Sequence, residues 1–215
     1  MPPPDVEVLV GGARALGIEL STDQSGTLLA YLELLAKWNR VYNLTAIRDP
    51  SAMLVHHLLD STAAVLPLRR CTSGKPARLL DVGSGAGLPG VVLAILMAEL
   101  DVTCVETVGK KASFIRQAAG ELALKNLHVV HGRVESLSAD GFDVITSRAF
   151  ASLADFVAVT RHRGAERTAW MAMKAGVPTE EISALPETIE VFHVEQLTIP
   201  GLLAERCLVW MRERR

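Results

Sequence analysis

Cysteine is scarce in this chain: Cys71, Cys104 and Cys207 are the three in 215 residues. An odd number without close spacing argues against a disulfide framework and against a zinc site, and suits a reducing cytoplasm. Long apolar runs are missing as well. The longest uncharged one, Val91 to Ala98, falls far short of the ~20 residues that a bilayer requires, so no membrane partner is expected. The opening Met1-Pro2-Pro3-Pro4-Asp5 has neither the basic nor the apolar region of a secretory leader. An excess of positive charge is also absent, since 22 Lys and Arg against 24 Asp and Glu leave a net charge of −2. A protein holding nucleic acid through a general positive field would be more basic, so such a partner must be gripped by local patches. There is no internal repeat and no low-complexity tract.

What is present is enough apolar material for a sizeable core. Hydrophobic residues make up 49% of the chain, and the length fits one domain, or one domain with a small extension. The pattern changes near residue 76. Before it, the periodicity is helical. Val6 to Leu16 is a short stretch closed by Gly17, and Ser21 or Thr22 caps a longer helix running to about Asn39. Leu28, Leu29, Leu32, Leu35 and Trp38 form its apolar stripe, which reads as core. Ser51 is expected to cap a third helix, with a loop from Arg69 to Pro76. After residue 76, strands are expected at Arg78–Val82, Val102–Glu106, Leu127–His131, Phe142–Thr146 and Thr168–Met173. Helices are expected between them at Leu88–Leu100, Lys110–Ala123 and Leu153–Thr160. Ile189–Ile199 and Glu205–Arg212 close the chain as two strands joined at Pro200-Gly201. Such alternation means βαβ units: an α/β fold with a seven-stranded, mostly parallel sheet, a C-terminal antiparallel hairpin and an N-terminal helical extension.

The strongest local signal is Leu80-Asp81-Val82-Gly83-Ser84-Gly85-Ala86-Gly87-Leu88-Pro89-Gly90, which leaves a strand and enters a helix. Glycines let the backbone turn tightly and approach a ligand, and a helix amino end offers N–H groups to a carboxylate. Gly85-Ala-Gly87-Leu-Pro-Gly90 fits the dinucleotide fingerprint formally, but there the first glycine follows the strand closely. Here that glycine is Gly83. The form Asp81-x-Gly83-x-Gly85-x-Gly87 resembles the first motif of class I methyltransferases, which bind S-adenosylmethionine with the acid near its cationic amino group. Pro89 suits the first turn of the helix. Glu106 ends the second strand, 23 residues after Gly83, where a carboxylate meets ribose hydroxyls; the alternative is a solvated strand-end acid. Val134 and Glu135, after the third strand, stand where adenine is commonly held, although Glu135 also suits a helix start.

Several segments together resemble the bacterial RsmG (GidB) family, which methylates N7 of a guanine in 16S ribosomal RNA. They are Trp38 to Thr45 with Arg48-Asp49-Pro50, His57 to Ser61, Asp81 to Gly90, Gly109-Lys110-Lys111, and Ser147-Arg148-Ala149-Phe150-Ala151-Ser152-Leu153. Met173-Lys174-Ala175-Gly176 is similar to the family's Leu-Lys-Gly with one residue inserted. The resemblance spans about residue 15 to the end. It implies residues 1–75 as a helical extension capping the cofactor cleft of a Rossmann-like core, 76–215. It also implies cofactor contacts at Gly83, Leu88, Val134, Glu135 and Arg148, to which the loop reading adds Asp81, Gly85, Gly87 and Glu106. Lys110, Arg133 and Lys174 match basic positions near cofactor or RNA, and Arg148 and Lys174 are the candidates nearest the chemistry. The implied partner is 16S ribosomal RNA, in the 30S subunit or a precursor, with no metal and no obligate protein partner.

The remaining residues agree with that chemistry. Guanine N7 carries no proton, so its attack on a sulfonium methyl needs no general base, and rate comes from alignment and exclusion of water. The place of the Asn/Asp-Pro-Pro-aromatic motif of amine methyltransferases reads Thr146-Ser147-Arg148-Ala149-Phe150. Cys104, inside a strand, and Cys71, in a loop, read as buried apolar cysteines and not as nucleophiles. Arg148 can fork onto guanine O6 or a phosphate, or pair with Asp81 or Asp60. Phe150 can stack on a flipped base or pack in the core, the latter being favoured. Adjacent His56 and His57 read as packed or capping residues, and Asn43 either caps a helix or lines the pocket. A nicotinamide enzyme, a non-catalytic RNA-binding protein and a small-molecule methyltransferase are the rival readings. Against the first stands the lack of a proton-relay residue and of any nicotinamide-pocket signature, against the second the intact Asp81–Gly87 loop with Glu106, and against the third, weakly, the basic positions Lys110, Arg133, Arg148 and Lys174.

Overall fold

A computed structural model of the chain describes residues 4–148 and 150–214. Met1-Pro2-Pro3 of the leader reading and Ala149 of the Ser-Arg-Ala-Phe segment lie outside the described residues. The helical extension begins with α1 (Pro4–Ala15) and α2 (Thr22–Tyr42). The amino end of α2 is fixed by a reciprocal capping box, in which Ser21 Oγ accepts from Gln24 N–H and Gln24 Oε1 accepts from Ser21 N–H, both at 3.1 Å. Leu28, Tyr31, Leu32 and Leu35 lie buried along one face, and Asn43 ends the helix in the left-handed region at φ 49°.

The third helical stretch departs from expectation. Its cap is Asp49, whose carboxylate accepts from Ala52 N–H at 2.7 Å, and Pro50 takes the first helical position, so Ser51 lies inside. The stretch comprises α3 (Pro50–Met53), a π-helical segment Leu54–Leu59 and α4 (Asp60–Thr62). The expected loop is helical as far as Thr72, in α5 (Val65–Thr72), because Leu68 packs into the core despite the prolines at 67 and 76. Cys71 is therefore helical and exposed, not a buried loop cysteine.

From β1 (Ala77–Val82) the chain alternates through α6 (Gly90–Leu96), β2 (Leu100–Glu106), α7 (Gly109–Glu121), β3 (Leu127–His131), β4 (Phe142–Ser147) and α8 (Leu153–Thr160). It continues through β5 (Gly164–Lys174), α9 (Thr179–Ser183), β6 (Ile189–Leu197) and β7 (Arg206–Glu213). Helix α6 begins after Pro89 and ends before Leu100, which already belongs to a strand; β5 starts four residues earlier than the apolar pattern suggests, and α9 was not anticipated. The seven strands stand in the order β3-β2-β1-β4-β5-β7-β6, with β7 antiparallel to both neighbours and the rest parallel. Alternation along the strands separates two cores. Leu79, Val102, Cys104 and Val144 face the layer that includes α1 to α7, while Leu80, Val105 and Ile145 face α8. The strand order reverses between β1 and β4, and in open α/β sheets that crevice is where ligands bind.

Candidate functional site

Above the carboxyl ends of β1, β4 and β5 lies a cleft of about 420 Å³. Its floor is the glycine loop, through Gly83, Ser84, Gly85, Ala86 and Leu88, and its walls include Leu44, Thr45, His57 and Asp60 of the extension. Gly83 and Gly85 adopt φ of 68° and 61°. At Gly85 a Cβ would project into open space, so the missing side chain leaves the loop backbone bare toward the cleft. Gly87, at φ 90°, serves packing instead, because a side chain there would collide with Val91. Tyr31, fully buried, donates its hydroxyl hydrogen to Ala86 O at 2.7 Å and so ties α2 to the loop. Burial holds its phenol neutral by pushing its pKa up.

Two acids brace this loop from below. Asp81 is fully buried at the end of β1 and does not line the cleft; its Oδ2 accepts from Gly90 N–H at 2.8 Å, while Oδ1 is buried without a hydrogen-bond partner among the described residues. The first N–H of α6 is thus taken by the chain's own carboxylate rather than left for a ligand. Burial, opposed by the Gly90 N–H and the Arg148 charge, pushes Asp81 up to about 7. Glu106, also buried, accepts from Gly85 N–H at 2.7 Å through Oε2 and from Val108 N–H at 2.8 Å through Oε1. It holds the loop's shape, and each oxygen retains lone-pair capacity.

A second hollow, of about 320 Å³, adjoins the first at Gly83 and is lined by Val105, Arg133, Val134, Glu135 and Phe150. Val134 is buried in a 3-10 turn spanning Val134–Ser136. Phe150 packs on Phe156 with ring centroids 5.1 Å apart, so it is a wall of this hollow and part of the second core. Lys110 is exposed; it is the next residue, Lys111, that lines the cleft.

The cleft's charge is organised around Asp60. That carboxylate is 3% exposed, and it joins Arg148 Nη1 at 2.8 Å through Oδ2 and Arg206 Nε at 2.9 Å through Oδ1. Of the two partners open to Arg148 from sequence, Asp60 is the one it meets. Asp60 lies in the His57 to Ser61 segment quoted from the family likeness, whereas Arg206 carries no motif of its own and was not anticipated. Lys174 Nζ contacts Glu181 Oε2 at 2.7 Å and Phe150 O at 3.1 Å, so this cation is held between α9 and the segment after β4. His57, packed as expected, faces Thr45 Oγ1 at 3.1 Å. Burial and then the Arg148 charge push it down to about 4, so it is neutral at physiological pH. Asn43 caps α2 and accepts from Arg48 Nη2 at 3.0 Å, and Trp38 is core, edge-on to Phe114. No group of three potential metal ligands, and no helix long and apolar enough to cross a membrane, occurs among the described residues.

With this geometry in view, comparison with known proteins gives a consistent result. A family model described as rRNA small subunit methyltransferase G matches residues 24–209. A protein named ribosomal RNA small subunit methyltransferase G from Acidovorax sp. (strain JS42) is 60% identical over 209 residues, covering 94% of this chain and 92% of the relative. The protein of the same name from Leptothrix cholodnii is 59% identical over 211 residues, covering 98% and 97%. Among solved structures, a SAM dependent methyltransferase from Aquifex aeolicus matches with a TM-score of 0.58 at 17% identity, over 77% of this chain and 94% of that one. TrmN from Thermus thermophilus matches with a TM-score of 0.57 at 16% identity, over 75% and 53%. At such identities the structural likeness speaks for the fold: that of class I methyltransferases.

Proposed function

Because the chain belongs to the rRNA small subunit methyltransferase G family, we propose that the cleft brings N7 of a guanine in 16S ribosomal RNA to the methyl group of S-adenosylmethionine. The enzyme is an S-adenosylmethionine-dependent rRNA methyltransferase. The observation that carries the finer reading is the lining of the cleft. Lys111, Arg148, Lys174 and Arg206 meet there over the glycine loop, with Asp60 the one acid among the lining residues. In a protein of net charge −2, such a concentration of cations at one crevice suits receipt of a polyanion there.

The residues fit the methyl donor. The bare backbone at Gly83 and Gly85 admits its close approach, the carboxyl of Asp81 lies beneath that loop and would act on its cationic end only through it, and the hollow at Val134, Glu135 and Arg133 has the size and apolar wall for a purine. S-adenosylmethionine, when bound, supplies a methyl group activated on a sulfonium. The chain's own work is placement. Arg148, pinned by Asp60, keeps further N–H donors for guanine O6 or a phosphate, leaving N7 free. The neutral ring of His57 adds no positive charge beside Arg148. No proton has to be removed from N7, so the reaction asks for no general base. Residues 1–75 act as a cap on core 76–215, since Leu44, Thr45, His57 and Asp60 close one side of the cleft.

The test is transfer of tritiated methyl from S-adenosylmethionine to 30S subunits and to naked 16S RNA, followed by mapping of the modified base. One N7-methylguanine is expected, with 30S subunits or a precursor as the substrate. Label in an exocyclic amine, in carbon-5 of a pyrimidine, or in no RNA at all would overturn the proposal.

A further inference from the structure

We propose that the carboxyl end of α2, with the first turn of α7 beside it, is a second RNA-contacting surface outside the methyl-transfer cleft. There Tyr42 stacks on an unpaired nucleotide flanking the target, and Arg48 takes a backbone phosphate. The inference rests on the reading that RNA enters the cleft.

Tyr42 is 43% exposed and its neighbour Val41 is 69% exposed, an apolar pair turned to solvent. The Tyr42 ring is nevertheless fixed. It packs on Trp38 with centroids 5.0 Å apart, and Trp38 in turn stands edge-on at 5.7 Å to the fully buried Phe114 of α7. A ring backed on one side and open on the other is a stacking platform that loses little freedom when a base covers it. The platform adjoins the cleft. Thr45, which lines it, stands three residues on from Tyr42, a reach of at most about 11 Å. A nucleotide or two can bridge that span.

The charge around it points to the partner. Away from the cleft, Arg14, Arg69, Arg70, Arg78, Arg161 and Arg212 each pair with a carboxylate. Arg40, Arg48 and Lys110, at the end of α2 and the start of α7, have no carboxylate within 4.0 Å among the described residues, a condition they share with Lys37, Arg116 and several other cations, and their neighbour Lys111 lines the cleft itself. Arg48 is instead held by the neutral Asn43 Oδ1 at 3.0 Å, so its charge is positioned without being cancelled. Unpaired cations around an open aromatic face are the chemistry of single-stranded nucleic acid binding.

The experiment measures binding of a labelled single-stranded RNA oligonucleotide by fluorescence anisotropy, and the KM for 30S subunits in methyl transfer. Tyr42→Ala should raise the oligonucleotide Kd roughly tenfold and Tyr42→Phe should restore it. Arg48→Ala should weaken binding for every sequence and lower the salt slope by about 0.7 to 0.9. Both should raise KM for 30S subunits with kcat nearly unchanged, while calorimetric affinity for S-adenosylhomocysteine stays at the wild-type value. Unchanged Kd and KM in Tyr42→Ala would overturn the inference. A loss for 30S subunits with unchanged oligonucleotide binding would overturn it too, by assigning the surface to a ribosomal protein. Failure of the wild-type protein to methylate RNA would instead sink the reading of the cleft, and leaves the anisotropy result to stand or fall alone.

Discussion

Asp81→Asn should make the protein more stable above neutral pH, and less able to bind its methyl donor. The carboxyl group is fully buried and titrates at about 7, against 3.8 when the chain is unfolded. The folded state therefore holds a proton that the unfolded state releases as pH rises through that interval. The sign follows: protonated Asp81 contributes its full share of stability below about pH 4, and that share is lost as pH climbs to about 7. At about 1.36 kcal/mol per pKa unit, a rise of roughly three units costs about 4 kcal/mol at most above pH 7. Asparagine never ionises, so the variant escapes this cost. It keeps an oxygen to accept from Gly90 N–H, though the loss of charge weakens that bond by about 1 kcal/mol. The net gain is roughly 2–3 kcal/mol, or about 4–12 °C in Tm for a domain of this size. Thermal unfolding of both proteins by circular dichroism near pH 5 and near pH 8 measures it. Asp81→Asn should gain at the higher pH and converge on the wild type at the lower. A variant that melts below the wild type near pH 8, or a difference independent of pH, would show that the buried charge is compensated by something other than the Gly90 N–H and Arg148. Calorimetry with S-adenosylhomocysteine should find the same variant binding more weakly.

Removing the carboxylate in Asp60→Ala releases Arg148 and Arg206 together; single-turnover rates should fall about 100-fold, with a stability loss of about 2 kcal/mol, below that of a sealed pair because both guanidinium groups reach water. Arg163 donates to Val134 O at 3.2 Å and Glu135 O at 2.7 Å, so Arg163→Ala should raise KM for the methyl donor about tenfold while KM for RNA stays put in two-substrate kinetics. At Gly90 a side chain would meet Cys104 Sγ and stand 2.8 Å from Asp81 Oδ2; Gly90→Ala should cost roughly 1–3 kcal/mol in urea unfolding, and an unchanged midpoint would refute the packing described here.

Strands and helices with clean periods were legible from the sequence. Leu127–His131 and Leu153–Thr160 fall where the pattern puts them, because a short β-branched strand and a Ser-capped amphipathic helix are local facts. Misreadings arose where tertiary packing overrides local preference. Prolines at 67 and 76 suggest a loop, yet burial of Val65, Pro67 and Leu68 keeps residues 65–72 helical. Ser51 is a good cap by type, but Asp49 before Pro50 is a better one, since the proline fixes the first turn. The glycine loop could be read because a strand-to-helix turn is continuous in sequence, and the structure shows Asp81 and Glu106 bracing it from beneath. The Arg148–Asp60 pair stood among the open pairings, but Arg206, 146 residues from Asp60 and without a motif, could not be read.

The site's acids share a feature that bears on why the fold is stable at all. Asp81, Glu106 and Asp60 are each no more than 4% exposed, and burial of a carboxylate is costly unless hydrogen bonds answer it. Glu106 is answered by two backbone N–H groups and Asp60 by two guanidinium groups. Asp81 is answered on one oxygen, and burial pushes it up to about 7. Under the proposal that the donor's cationic end lies over this loop, the uncompensated oxygen couples donor binding to stability. Raising the pH should accordingly increase the Tm shift produced by S-adenosylmethionine, because the empty protein carries the unpaired charge and the loaded one does not. A donor-induced shift that stays constant from about pH 5 to about pH 8 would mean that Asp81 never meets that charge, and that its place under the loop is a matter of packing alone.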